Sequence, residues 1–216
     1  MSADGSDLLL RFREEARSLG VELGPRQLSR FRVYLRVLRE WNRVIRLVAD
    51  DQEETIVWGH FMDSLSVCRL LRESESLLDV GSGAGFPGVP LKIASPTIRL
   101  SLVEPSGRKV SFLKQLLREL ALKDVAVYAS RVQEAGLAER FTAIVSRGLA
   151  PPRRWLSWVS GLLDEGGRII LMLGPTMEMA GLQTQLQEIG LRMCEGCEFR
   201  LPVVGHRRRL IVVCRG

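Results

Sequence analysis

A doubly wound α/β fold is what the sequence predicts: a mostly parallel sheet with helices on both faces, an antiparallel edge pair at the C-terminus and a helical extension at the N-terminus. Residues 7 to 75 carry apolar side chains at three- and four-residue steps, the period of helices, while from Leu77 onward short β-rich runs alternate with stretches of helical length. Parallel neighbours need crossover connections that cover the sheet, so alternating strands and helices imply helices on both faces. The last two β-rich runs have no helical length between them, which suits an antiparallel pair. The chain divides accordingly into a helical extension, 1–75, packed on an α/β domain, 76–216.

Taken in order, the first strong helix is Arg26–Leu47, where Leu28, Phe31, Leu35, Leu38 and Ile45 line one face for burial. A second stripe on it holds Arg32, Arg36, Arg39, Arg43 and Arg46, with Glu40 the only acid between Arg26 and Arg46. Guanidiniums so spaced repel unless they are solvated or matched by anions, so the stripe is either a solvated basic face or a surface for phosphates. Another helix is expected over Glu53–Leu71. Strands follow at Ser76–Val80, Ile98–Val103, Val125–Tyr128, Ala143–Ser146 and Arg168–Leu173, with helices at Pro87–Ala94, Ser106–Leu120, Pro151–Leu163 and Met177–Ile189 between and after them. The edge pair is Met193–Phe199 with Arg209–Cys214.

At 216 residues the chain suits one core with a modest extension. No apolar run approaches the ~18 residues of a membrane span. The opening MSADGSDLLLRF places acids where a signal peptide carries positive charge, so a cytoplasmic protein is expected. Four cysteines, at 68, 194, 197 and 214, are too few for a disulfide framework, and reduced thiols are expected. Cys194 and Cys197 form a CxxC that reads either as a redox or half-zinc element or as two small residues in or beside a strand. With no second CxxC and only two histidines, His60 and His206, no metal site is expected. The net charge of +6 is compatible with a polyanionic partner.

The stretch LLDVGSGAGFPGVPLKIA, Leu77 to Ala94, carries most of the chemistry. Gly81, Gly83, Gly85 and Gly88 follow the first strand directly, where a bare backbone can bend and approach a ligand. In open α/β sheets ligands bind beyond the carboxyl ends of strands, where the strand order reverses. Gly83-x-Gly85-x-x-Gly88 alone also fits a dinucleotide fold. Asp79 argues against that, because an acid two residues before the first glycine would repel a pyrophosphate. It suits S-adenosylmethionine, which carries a sulfonium, an ammonium and no phosphate; the alternative is a carboxylate that caps the loop. Glu104, ending the second strand in LSLVEPSGRK, is placed to accept both ribose hydroxyls of S-adenosylmethionine or NAD, or is an incidental strand-end acid.

These residues carry a family resemblance. LLDVGSGAGFPGVPLKI, LVEPSGRKVSFLK, YASRVQE and IVSRGLA, with REWNRVIRL and GHFMDSL upstream, resemble the bacterial ribosomal RNA small subunit methyltransferase G family, also called glucose-inhibited division protein B. The resemblance implies a Rossmann-like class I methyltransferase fold, S-adenosyl-L-methionine as cofactor, and methyl transfer to guanine N7 in small-subunit (16S) ribosomal RNA. It carries cofactor contacts over to Gly81 and Phe86, to Glu104, to Val132 and Gln133 after the third strand, and to Arg147 after the fourth. Val132 and Gln133 are expected to meet the adenine edge through backbone, and Phe86 to offer apolar surface or to plug the core under the loop. Arg147 is expected to hold the cofactor carboxylate, a phosphate or guanine O6, or to make a structural ion pair. The chain departs from the family pattern in Gln133–Glu134 for an acid pair and in Arg46–Leu47–Val48 for Asn-Leu-Thr. It also has Leu173 where a lysine often ends the late strand; Arg207, Arg208 and Arg209 are the nearby cations, as substitutes or as a solvated basic turn.

Guanine N7 has a free lone pair and no proton to lose, so no catalytic base is expected and positioning should dominate. His60 and Asp63, one helical turn apart, line an entrance or satisfy each other. Trp41, Trp58, Trp155 and Trp158 stack a base or pack ordinarily. The RNA footprint expected from charge placement is Arg32, Arg36 and Arg43 with Arg207, Arg208 and Arg209, besides Arg147. The resemblance implies small-subunit ribosomal RNA as the substrate, naked or as ribonucleoprotein, and a monomer is expected. Competing readings are a small-molecule methyltransferase of the same fold, a non-catalytic cofactor-binding module of ribosome assembly and, more distantly, a dehydrogenase.

Overall fold

The computed structural model describes residues 3–148, 152–174 and 181–216. Its single sheet has seven strands: β1 (Ser76–Val80), β2 (Arg99–Val103), β3 (Val125–Tyr128), β4 (Phe141–Arg147), β5 (Leu163–Leu173), β6 (Leu191–Arg200) and β7 (Arg207–Arg215). They lie in the order β3-β2-β1-β4-β5-β7-β6. Strands β1 to β5 are mutually parallel, β7 runs antiparallel to β5, and β6 antiparallel to β7. The doubly wound fold with an antiparallel C-terminal edge pair is therefore observed.

Helices α1 (Ala3–Ala16), α2 (Pro25–Asn42), α3 (Glu53–Ile56) and α4 (Met62–Leu65) precede the sheet. Helix α2 starts on Pro25, with the Gln27 side chain accepting the Gly24 N–H at 3.0 Å, a favourable opening turn. It stops five residues short of the expected Leu47, because Asn42 Oδ1 accepts the N–H groups of Leu47 and Val48 at 2.8 and 3.0 Å and turns the chain away. The single helix expected over Glu53–Leu71 is instead broken by a π-helical turn, Val57–Phe61, in which the Met62 N–H bonds the Val57 carbonyl. One extra residue in that turn rotates the side chains that follow, and such turns are frequent at functional sites.

The crossovers are α5 (Gly88–Ala94), α6 (Gly107–Glu119) and α7 (Pro152–Val159), with α8 (Leu182–Gln187) leading into the edge hairpin. The helix starts expected at Pro151 and Met177 lie outside the described residues. Strand β5 begins at Leu163 and not at Arg168, since Leu163 pairs with Phe141 and Gly167 lies against that strand, where a Cβ would come within 2.9 Å of the Phe141 carbonyl. No described helix is long and apolar enough to cross a membrane.

Strand alternation splits the core into two apolar clusters, one per sheet face. Leu77, Ala143, Val145, Ile170, Met172 and Leu210 join the first with α1, α2, the π turn, α5 and α6; Leu78, Val80, Ile144, Leu171 and Ile211 join the second with α7 and α8. Phe12, Phe31, Tyr34 and Phe61 are fully buried in the first, each aromatic stabilising the fold by about 1.5–3 kcal/mol through burial. An ion pair inside that face, Arg168 Nη1 to Glu75 Oε1 at 2.7 Å, is backed by Arg168 Nε donating to the Leu70 carbonyl at 3.1 Å. It ties the end of the helical segment to β5.

Cys194 is disulfide-bonded to Cys214, not held as a reduced CxxC thiol. The antiparallel β6–β7 pairing brings the two Cα atoms to 6.1 Å across the hairpin, a separation a disulfide spans. Cys197 is a free thiol packed against the first cluster, and Cys68 is likewise free. The other two thiols thus follow the expectation and the 194–214 pair does not.

Candidate active site

The strand order reverses between β1 and β4, so a crevice opens beyond their carboxyl ends. The glycine loop fills its floor. Gly81 and Ser82 N–H groups both donate to the Val103 carbonyl at the end of β2, at 2.9 and 3.2 Å, and the Gly85 and Phe86 N–H groups close onto Ser82 O. Gly85 has φ +91°, and a Cβ there would lie 2.7 Å from the Tyr34 hydroxyl. That hydroxyl donates to the Ala84 carbonyl at 2.5 Å, so α2 clamps the loop from the helical side. At Gly83, in contrast, a Cβ would meet nothing nearer than 3.8 Å.

Asp79 lies under the loop with no exposed surface. Its Oδ2 accepts the Gly88 N–H at 2.9 Å, while Oδ1 is buried without a hydrogen-bond partner. Burial pushes its pKa up to about 7, opposed by the Gly88 N–H, the Arg147 guanidinium and the Ser82 hydroxyl. Asp79 is thus a loop cap and, through Oδ1, an unsatisfied acceptor. Glu104, 5% exposed, accepts the Gly83 N–H on Oε2 at 2.9 Å and the Ser106 N–H on Oε1 at 2.8 Å. Each oxygen keeps one lone pair.

Parity places Asp79 on β1, Arg147 on β4 and Arg208 on β7 on the same face, that of the N-terminal helices. There the π turn and α4 supply His60 and Asp63. Arg147 Nη1 donates to His60 Nδ1 at 3.1 Å and lies 3.4 Å from Asp63 Oδ2; Arg208 Nε donates to Asp63 Oδ1 at 2.9 Å. Asp63, 4% exposed, is therefore shared by two guanidiniums from different strands. An arginine only donates, so His60 Nδ1 accepts and its proton sits on Nε2. Burial first, then Arg147 and Arg208, lower the His60 pKa to about 4 and keep the ring neutral. Phe86 is buried between these groups: its ring stacks on His60 at 5.0 Å and on Tyr34 at 5.5 Å, and Arg147 lies over it at 4.8 Å. Phe86 is a plug under the loop.

Other expected residues sit further out. Val132 is buried in the second cluster and Gln133 is exposed, both in a single 3-10 turn after β3. Arg32 and Arg36 are exposed on α2, and Arg43, also exposed, is the residue that follows its end. Residues two positions apart on a helix are about 200° apart around its axis, so Arg32 and Arg36 face away from Tyr34 and the loop, and the structure does not bring this stripe to the crevice. Its charges are partly matched within the chain: Arg36 bonds Glu40 at 3.0 Å and pairs with Glu119, and Arg39 pairs with Glu53. Arg207, Arg208 and Arg209 do not act as one patch, because alternation sends Arg208 to Asp63 and Arg209 to Glu198, its Nε donating at 2.6 Å, on the opposite face. Leu173, buried, pairs with Arg209 in register, so the exposed cation on its face is Arg207. Trp58 and Trp155 are core residues, Trp41 is edge-on to Phe112 at 5.9 Å, and Trp158 is 36% exposed. Sequence reasoning gave no role to Tyr34, whose spacing marks it only as core, or to the sharing of Asp63, whose partners lie 84 and 145 residues away.

Residues 27–209 match the family described as rRNA small subunit methyltransferase G. The chain belongs to that family. Among family relatives, the Ribosomal RNA small subunit methyltransferase G of Syntrophus aciditrophicus is 36% identical over 98% of this chain and 91% of its own length. That of Acetivibrio thermocellus is 33% identical over 93% of this chain and 85% of its own. Two solved structures, one of them a methyltransferase, share the fold at low identity. The magnesium protoporphyrin IX methyltransferase of Synechocystis PCC 6803 with bound SAH has a TM-score of 0.64 at 16% identity, covering 85% of this chain and 100% of that one. M. jannaschii TYW2 in complex with AdoMet has a TM-score of 0.60 at 14% identity, covering 73% and 77%.

The residues of this methyltransferase G chain fit the S-adenosylmethionine implied by the sequence. The orphaned Asp79 Oδ1 beneath the loop favours a ligand that brings positive charge, and nothing in the loop offers a cation for a diphosphate. The open space at Gly83 and the spare lone pairs of Glu104 add room and acceptors for hydroxyl donors.

Proposed function

We infer that this chain is an S-adenosylmethionine-dependent methyltransferase that modifies N7 of a guanine in small-subunit (16S) ribosomal RNA. The observation that carries the cofactor side is the buried, half-paired Asp79 under a glycine loop at the sheet's switch point; family membership carries the RNA side. Bound S-adenosylmethionine supplies an electrophilic methyl group on a sulfonium. In this reading Gly81, Gly83 and Phe86 shape the loop around it, Asp79 balances its charge and Glu104 accepts its ribose hydroxyls. Val132 and Gln133 border the adenine.

For the acceptor, Arg147 keeps Nε–H and its Nη2 hydrogens beyond the bonds to His60 and Asp63, enough to hold guanine O6 or the cofactor carboxylate. His60 stays neutral and offers only Nε2–H. That suits a nucleophile with a ready lone pair, for which orientation and not proton removal lowers the barrier. No residue is assigned as a catalytic base. Arg208 and Asp63 fix Arg147, while Arg207, exposed on the Leu173 face, offers the cation that Leu173 does not. The basic stripe along and just beyond α2, chiefly Arg32 and Arg43 with Arg36 less available, contacts RNA phosphates at a distance from the crevice, and Arg209 on β7, held by Glu198, is likewise less available. Residues 1–75 serve as an extension of the α/β domain, since both share one apolar cluster, and the chain acts as a monomer in the cytoplasm on RNA or a ribonucleoprotein particle.

The test is transfer of labelled methyl to three acceptors in parallel: undermodified small subunits, free small-subunit RNA and a metabolite pool. Label in RNA or subunits supports the reading. Label only in metabolites would replace it with a small-molecule methyltransferase, and cofactor binding without transfer to any of them would leave a non-catalytic module.

A further inference from the structure

A cavity of about 320 Å³ opens at the opposite end of the sheet from the glycine loop. Pro96, before β2, and Leu122 to Asp124, before β3, line it at the amino ends of the strands, with Arg26, Arg30, Lys92 and Lys123 around them. Four cations thus face a single carboxylate, Asp124. None of these residues belongs to the site described above.

The inner two have structural duties that leave donors over. Lys92, 2% exposed, donates to the carbonyls of Pro96 at 2.8 Å and Ile98 at 2.5 Å, which leaves one ammonium hydrogen. Arg30 caps the end of α6, donating to the Leu120 and Ala121 carbonyls at 3.0 and 3.1 Å, and keeps three N–H groups. The outer two, Arg26 and Lys123, are exposed and make no hydrogen bond or ion pair among the described residues. Burial first, and then the neighbouring Arg26, lower the Arg30 pKa. Fold maintenance accounts for Arg30 and Lys92; it does not account for two more cations on the rim. The volume lies near the lower end of the about 300–1,000 Å³ of small-molecule sites, room for a phosphate with the sugar that bears it.

We propose that this cavity is a phosphate-binding site, with Arg26 and Lys123 as its outer clamp and Arg30 and Lys92 as its floor. The phosphate comes from the RNA backbone, gripped far from the target base, or from a free small phosphate ester. The RNA source rests on the methyltransferase reading; the site itself does not.

The double variant Arg26→Ala/Lys123→Ala removes no bond of the fold, so its melting temperature and cofactor affinity should match the parent. Binding of inorganic pyrophosphate is measured by calorimetry on both, and binding of small-subunit RNA across a salt series on both and on a charge-matched control, Arg17→Ala/Arg72→Ala. Because the second arm reads RNA binding and not methylation, it stands even if the methyltransferase reading fails. If RNA is the source, the double variant binds RNA about tenfold more weakly than the control, with a log–log salt slope shallower by about 0.7–0.9 for each phosphate no longer neutralised. If a free ester is the source, pyrophosphate binds the parent and is weakened at least about tenfold in the variant, with RNA binding equal to that of the control. Pyrophosphate and RNA binding both unchanged relative to parent and control would overturn the site.

Discussion

Raising the pH from 6 to 8 should tighten S-adenosylmethionine binding to the native chain about tenfold relative to Asp79→Asn, which has no carboxyl there to ionise. The Asp79 pKa stands at about 7, raised chiefly by burial. A ligand carrying positive charge stabilises the anion, so the complex holds fewer protons than the free protein near neutrality, and affinity must rise with pH through that pKa and level off above it. At pH 6 about nine-tenths of Asp79 is protonated; ionising it costs about 1.4 kcal/mol, and at pH 8 almost nothing, a ratio of about ten in the dissociation constant. The amide introduced by Asp79→Asn retains an acceptor for the Gly88 N–H but has no proton to lose. Calorimetric titration at half-unit steps from pH 6 to 8 reads the effect. The cofactor's own amino group titrates in both experiments and cancels in the ratio of native to variant affinity. A ratio constant over this range, or one that falls as pH rises, would refute the assignment of a cation-balancing role to Asp79.

Three further outcomes follow from the same geometry. His60 has a folded pKa of about 4 against 6.5 unfolded, so the stability it contributes is present above pH 6.5 and is lost as pH falls toward 4; His60→Gln should flatten that acid slope by up to about 3 kcal/mol in urea melts. Asp79 acts in the opposite direction, its contribution being full below pH 3.8 and lost as pH rises toward 7, so each slope is read as native minus variant. Gly88→Ala would place a Cβ 2.7 Å from Asp79 Oδ2 and 2.8 Å from Leu102 Cδ2; overpacking of about 1–3 kcal/mol should lower the melting temperature by several degrees and weaken cofactor binding with it. Arg168→Met alone leaves Glu75 charged in the interior and should cost about 3–5 kcal/mol, whereas pairing it with Glu75→Gln should recover much of the loss in a double-mutant cycle.

The parts of the fold legible in the sequence are those where local pattern and tertiary demand coincide. Strand β1 and its glycine loop are such a case: five residues buried on both sides, then a backbone bend that only bare positions allow. Strand β3 also falls at its expected bounds. The parts that were not legible depend on partners far along the chain. Asn42 ends α2 by capping two N–H groups in the next loop. β5 starts early because Leu163 has Phe141 to pair with. The π turn at Val57–Phe61 leaves no mark in apolar spacing, yet it precedes the helix turn that sets Asp63 between Arg147 and Arg208. The same holds for charge. Five arginines at helical spacing have only Glu40 as an acid in their own segment, but Arg36 also finds Glu119 on α6 and Arg39 finds Glu53 beyond the following loop. Three consecutive arginines looked like one patch until strand alternation divided them. Asp79 shows the limit from the other side, since the sequence posed cap and charge balance as alternatives and the structure gives one oxygen to the first and leaves the other unpaired.

The central claim is that the crevice above Asp79 delivers a methyl group to guanine N7 of small-subunit RNA. Small-subunit RNA from cells with and without the gene, cleaved chemically at 7-methylguanosine, tests it most directly. One cleavage site present with the gene, absent without it and restored by adding purified protein and S-adenosylmethionine to the unmodified subunits is the predicted result. Identical cleavage in both RNAs, or restoration of a methyl group at an atom other than N7, would contradict it.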